Sequence, residues 1–323
     1  MTARRNLALA LAGLAILAFV MARIGVGAVA KEMKVVCAGL PIIFALSFSR
    51  LVLQTCSWSL ALRQEGIRSS VGELMFIRLA SQGVGYVTIL GPIASEPLKI
   101  SLLRHHGISA ATPTLVDTGV YWFSSGLIGV AGCLSAGFLL AGSRHSVTSM
   151  AMLGGILIAS LLFIARRESP LASLVDALGV RAPRWLRKAG QIDVAIRRFA
   201  IQQPSAIRRM FFLDLGCQLL LAGEVAIIFW CLKLPLHLGT LLGLEAASRM
   251  IKIAAGWMPA RIGADETGVA GAFVAFGLPA ASGLVMALAR RARDLFGCLI
   301  GLMWLAWRQR SAVEAKGEMI CKA

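Results

Sequence analysis

Charge is scarce in this chain and chemistry-bearing motifs are scarcer. Only 15% of its 323 residues are charged, against 58% hydrophobic, and the mean hydropathy is +0.77. That is too apolar for an ordinary soluble domain of this length, and it predicts an all-α, polytopic membrane protein. Seven cysteines (Cys37, Cys56, Cys133, Cys217, Cys231, Cys298 and Cys321) stand singly, with no C-x-x-C pair, so neither a zinc knuckle nor a disulfide framework is predicted. The four histidines lie outside any acidic motif. No Asp-rich repeat has metal-binding spacing, so no metal, cofactor or intramembrane enzyme chemistry is expected. The adjacent pair His105-His106 reads as interfacial. Acidic residues number 16 against 33 Lys and Arg, a net charge of +17. No nucleic-acid recognition motif accompanies the positives, which lie in loops between apolar spans. Anionic lipid headgroups are the expected counterpart, and nucleic acid is not.

Several of the charges lie inside apolar sequence. In LLGLEAASRMIKIAAGWMPARIGADETG, Glu245, Arg249 and Lys252 recur at i, i+4 and i+7 and so share a helix face, until Pro259 breaks the helix. Asp265 and Glu266 then open a short helix, where carboxylates complement the exposed N–H groups. Glu266 is expected to cap it and to meet an arginine. Arg290, Arg291, Arg293 and Asp294 follow in the next apolar run. The Arg290/Arg293 face should converge on the Arg249/Lys252 face, with Asp294 paired to Arg290 one turn away and Asp265 held by its own helix start. Ionisable groups at membrane depth are costly unless paired or wetted, so this cluster predicts a functional cavity.

The same plan occurs earlier. GPIASEPLKISLLRHHGISAATPTLVDTG has a proline break, a short helix expected to open at Pro97 and end at Gly107, and a long helix. An offset of 170 aligns Ser95-Glu96 with Asp265-Glu266, Gly107 with Gly277 and Ala110-Ala111 with Ala280-Ala281. Arg78 shares a face with Gln82 just before this break. Paired Gly/Pro-interrupted segments point to a transporter's binding site.

In chain order, a retained first helix is expected over Leu7–Ala22, although Ala28-Val29-Ala30 resembles a signal-peptidase site. A second helix is expected over Val35–Leu62, and further spans over Gly72–Leu90, Ile108–Gly142, Met150–Ala165 and Met210–Leu232. Residues 166–209 carry ten Lys and Arg and are expected to form a basic cytoplasmic loop with amphipathic stretches, before a polar tail follows Trp307. Positive residues stay on the cytoplasmic side, which places both termini and the Arg63–Arg68 link there and Arg144 outside. The predicted domain plan is a single integral membrane domain over 1–323. Repeat 1 spans about 72–142 and repeat 2 about 238–307, each holds a Pro-broken re-entrant helix pair, and the two are inverted.

The pattern PARIGADETGVAGAFVAFGLPAASGLVMALARRARDL, through Pro259, Gly263, Glu266, Gly277, Leu278, Arg290, Arg291 and Arg293, resembles the second-half motif of the lysylphosphatidylglycerol synthase transmembrane, or flippase-like, family. The first half is similar at Gly91-Pro92, Glu96 and Gly107, and the second half most resembles the hopanoid-associated members. The resemblance implies lipid translocation between leaflets of a bacterial inner membrane. Members that make aminoacylated lipid carry a large soluble transferase domain that this sequence lacks, so synthase activity is not carried over. Val120 and Phe123 stand where the offset would place partners of Arg290 and Arg293, which speaks against two symmetric headgroup sites. The expected substrate site is Arg249, Lys252, Arg290 and Arg293 for an anionic headgroup, with Glu266, Asp265, Glu96 and Arg78 as further members. A non-transporting partner or regulator of a lipid-biosynthesis enzyme, or an intramembrane lipid enzyme, are the other readings.

Overall fold

The computed structural model describes residues 15–88, 91–103, 107–139, 155, 184–256 and 258–321. The expected Met150–Ala165 span, Arg144 and His105-His106 fall outside those residues, apart from position 155. Among the described residues every regular element is helical. After an apolar helical stretch at Ala15–Ile24, the helices are α1 (Val26–Cys37), α2 (Leu40–Gln64), α3 (Val71–Val87), α4 (Pro92–Leu102), α5 (Gly107–Leu139), α6 (Arg184–Gln202), α7 (Pro204–Cys231), α8 (Leu238–Ala254), α9 (Ala264–Ala275) and α10 (Ala280–Cys321).

Local chemistry sets the ends of these helices. Ser70 Oγ accepts the Glu73 N–H at 3.2 Å and starts α3. At the end of α2, Gly66 takes a φ of 74° and Ile67 N–H reaches back to Leu62 O at 3.0 Å, which seats the buried Ile67 against the bundle. Gly277 (φ 72°) closes α9 in the same way, with Leu278 N–H on Phe273 O at 2.8 Å.

Three helical segments are long and apolar enough to cross a membrane: Leu40–Gln64, Ala110–Gly137 and Pro204–Cys231. Their outer faces carry large apolar side chains, such as Phe212, Leu219 and Trp230 along α7, each more than 60% exposed. A water-facing helix would bury such groups, whereas lipid accepts them. Inside, α2 packs on α7, α5 on α8, and α3 on α10. Two of these crossings need glycine. A Cβ at Gly132 would collide with the Leu242 backbone of α8, and one at Gly301 with the Leu79–Ala80 backbone of α3.

Several boundaries differ from expectation. A separate helix, α1, covers residues 26–37, and the second expected helix starts at Leu40 with Pro41 in its first turn, where proline's missing N–H costs nothing. The short helix α4 begins at Pro92, not Pro97, which lies inside it, and it ends at Leu102. Gly107 therefore opens α5 and does not close α4. The basic 166–209 segment is helical from Arg184, and its last six residues already belong to α7. The expected polar tail after Trp307 continues α10 as helix.

Both proline breaks hold left-handed backbone. Gly91 has a φ of 46°, and Ala260, Arg261 and Gly263 have 51°, 49° and 80°. Gly91 and Gly263 each stand immediately before a short helix, α4 and α9.

Candidate functional site

The second-half cluster assembles where α7, α8 and α10 meet beside the main apolar core. Arg290 Nη2 donates to Glu245 Oε2 at 2.8 Å, and its Nε lies 3.5 Å from Glu224 Oε1. Arg293 donates to the other oxygen of Glu224 through Nη1 and to Asp294 Oδ1 through Nη2 at 2.7 Å. Arg249 Nη2 reaches Glu245 Oε1 at 3.2 Å and Gln218 Oε1 at 2.7 Å, while its Nη1 donates to the Ser125 carbonyl at 3.1 Å. Glu224, Glu245, Arg290 and Arg293 are all buried. Charges held this deep persist only with partners at hydrogen-bonding distance.

The four expected cations thus do share one region. Arg290 pairs with Glu245 and Glu224, not with Asp294, because its side chain turns towards α8 and α7 while Asp294 is taken by the neighbouring Arg293. Lys252 makes no hydrogen bond or ion pair among the described residues. It lines a narrow space with Arg290, Asp294, Asp265 and Tyr86. Four cations therefore face three carboxylates, and Lys252 is the one left over.

Around the break, Glu266 Oε2 accepts the Gly263 N–H at 2.9 Å and its other oxygen pairs with Arg291. Arg291 Nη2 also donates to Arg261 O at 3.2 Å, stitching α10 to the break. Asp265 pairs with Arg261 at 3.2 Å, a partner its expected role at the helix start did not include. The Arg261 guanidinium lies 5.7 Å from the centre of the Tyr86 ring on α3.

Arg78 and Glu96 stand apart from this cluster. Arg78 Nη2 donates to Gln54 O at 2.9 Å and Asp117 Oδ2 at 2.5 Å, and Glu96 pairs with Lys99 at 2.7 Å. Phe123 packs on Phe211 with ring centres 6.0 Å apart, an apolar contact where the second half has Arg293.

A cavity of about 630 Å³ opens between α2, α3, α10 and the first break. Phe44, Phe48, Phe76 and Phe296 contribute apolar lining, and Arg50, Gln82, Tyr86, Arg261, Arg293 and Asp294 contribute polar lining. Tyr86 and Asp294 also line the narrow space that holds Lys252 and Arg290, so they stand between the two. Such a shape suits an amphiphile whose chains lie along aromatic rings while its headgroup meets guanidinium groups. Among the described residues, no group of three His, Cys, Asp or Glu side chains is placed to hold a metal ion.

Reading the sequence assigned no site role to Glu224, Gln218, Arg50, Arg261 or Tyr86. Glu224 carried the clearest signal, a carboxylate in an apolar run, but nothing local says which cation it meets. Arg50 lies within the expected Val35–Leu62 helix, where no neighbouring charge marks it as a site residue.

No curated protein and no solved structure matches the chain. The lysylphosphatidylglycerol synthase TM region does, over residues 6–301. With nearly its whole length matched, this membrane chain belongs to the lysylphosphatidylglycerol synthase TM-region family.

Proposed function

We propose that the protein is a lipid flippase that carries a polar, anionic headgroup between leaflets of a bacterial inner membrane, without covalent chemistry on the lipid. The observation that carries this reading is the cavity lined both by phenylalanines and by Arg50, Arg261 and Arg293, beside a cluster with one cation in excess. A phosphodiester completes that balance, and the planar fork of arginine offers it two parallel hydrogen bonds. Lys252 and Arg290 lie past Tyr86 and Asp294, where they serve a headgroup moving inward from the cavity. Arg249, Glu266 and Asp265 hold the cluster and the break in shape, and Arg78 and Glu96 serve the first half.

The residues 72–142 and 238–307 act in this reading as inverted repeats of a single membrane domain, each with a re-entrant pair at its break. The left-handed backbone at both Gly91 and Arg261 supports that arrangement. Both termini lie in the cytoplasm, and a lipid-biosynthesis enzyme is a natural partner.

Flipping of fluorescent phosphatidylglycerol and phosphatidylcholine by the purified protein in vesicles tests the proposal. Arg293→Lys keeps the charge but loses the fork, so phosphatidylglycerol transport should fall about tenfold, the worth of one charged hydrogen bond, with folding retained. Equal movement of both lipids by both proteins would show that the cations are scaffold only.

A further inference from the structure

The lipid site leaves unused a second buried polar junction, where α2, α3, α5 and α7 meet. Its centre is Asp214 on α7, 1% exposed, whose only hydrogen bond among the described residues comes from Ser57 Oγ on α2 at 3.5 Å. Among the described residues no cation lies within ion-pairing distance of it. The charged groups acting on it are Asp117 from α5 and Arg78 from α3, with Cys217 three residues further along α7. Arg78 is committed elsewhere: one terminal nitrogen serves both Gln54 O and Asp117, and its face lies 5.5 Å from the Trp58 ring. Trp58 is itself fixed by Thr114 Oγ1 at 3.1 Å. Yet the guanidinium is not saturated, since its buried Nε has no acceptor among the described residues.

Two buried carboxyl groups therefore lie near one arginine, and of the two it bonds Asp117. Among the described residues no group of three His, Cys, Asp or Glu side chains is placed there to hold a metal cation, whereas one proton needs a single oxygen. We propose that Asp214 is a proton-binding site, and that taking up or releasing one proton there decides whether Arg78 serves Asp117 alone or is drawn towards Asp214. Protonated, the group is neutral and donates or accepts a single hydrogen bond with Ser57. Deprotonated, it adds a negative charge beside Asp117 that attracts the unused edge of Arg78.

The consequence travels along α3. Gln82 and Tyr86 stand one and two turns beyond Arg78 on the same helix, and both line the lipid cavity, Tyr86 against Arg261. A shift of Arg78 between two carboxylates moves the helix that forms one cavity wall and faces the break. The proton is thus the coupling ion for lipid movement, a step that rests on the flippase reading, whereas the binding site itself does not.

The test has two arms on the full-length protein. Infrared difference spectra between high and low pH should show the carbonyl stretch of a buried carboxylic acid. It should vanish in Asp214→Asn, an isosteric change, and keep its intensity with a shifted pH midpoint in Ser57→Ala. A band that survives in Asp214→Asn, no band at all, or one removed by sodium at constant pH would overturn the proton site. In vesicles carrying fluorescent phosphatidylglycerol, an imposed pH gradient should change the wild-type flipping rate, and Asp214→Asn should lose that response. A wild type that flips lipid without regard to the gradient overturns the coupling. A wild type that moves no lipid sinks the flippase reading, and the infrared arm still decides the site.

Discussion

Replacing Glu266 by glutamine isolates one buried charge. Glu266 is fully buried, and it does two jobs: one oxygen caps α9 through the Gly263 N–H, and the other pairs with Arg291. Glutamine keeps an oxygen for the cap, so what is lost is the negative charge opposite Arg291. Breaking a buried pair from one side costs about 3–5 kcal/mol. The Arg291 side chain is 14% exposed and retains Arg261 O, so water and one carbonyl soften the loss. The lower end, about 3 kcal/mol, is expected. Glu266→Ala should cost about 1 kcal/mol more, because the cap goes as well. Glu73→Gln is the control: its side chain is 42% exposed and 3.8 Å from Arg308, and its cost should stay below about 1 kcal/mol. Denaturant unfolding in detergent micelles measures all three. The double variant Glu266→Gln with Arg291→Met should recover most of the stability, since no unpaired charge remains. If Glu266→Gln unfolds with the wild type, or the double variant is worse than either single one, the carboxylate does not carry this pair.

The helix crossings and the topology give further expectations. Gly132→Ala and Gly301→Ala place a methyl group against opposing backbone and should each cost about 1–3 kcal/mol in the same unfolding assay. Gly119→Ala, with open space around its Cβ, should change stability by no more than about 1 kcal/mol. In a cysteine-free background, a cysteine at position 63 should react with an impermeant reagent only from the cytoplasmic side and one at position 144 only from outside. Labelling of both from one face would remove the inverted-repeat reading.

What the sequence made legible was local. The i, i+4, i+7 spacing put Glu245, Arg249 and Lys252 on one face of α8, and the Glu245–Arg249 pair is there at 3.2 Å. The carboxylate three residues after Gly263 identified the start of α9. What it did not make legible depends on which helices become neighbours. Arg290 has Asp294 one turn away, a sound local partner, yet Glu245 and Glu224 take it because its long side chain reaches across to α8 and α7. Gly107 failed as a terminator for a related reason. A glycine between two helices fits the end of one or the start of the next, and only the path of the chain decides. Lone polar groups such as Arg50 and Asp214 have no pattern around them, so their roles emerged only with the cavity and the junction they face.

The order of the charges along the chain bears on how the protein is made. Glu224 sits in α7, a segment apolar enough to enter the bilayer unaided. Helix α8 carries Glu245, Arg249 and Lys252, and α10 carries Arg290, Arg291, Arg293 and Asp294 close together, and each charge at the bilayer centre adds about 2.5–3.5 kcal/mol to insertion. During synthesis α7 emerges first and brings Glu224, α8 follows with Glu245 and Arg249, and the arginines of α10 arrive last, when both carboxylates are already waiting. Helix α8 must then remain beside α7 at the insertion site until α10 is complete. A chain in which leucine replaces Glu224 is therefore expected to hold α10 less well in the bilayer, read as a lower yield of folded protein in the membrane.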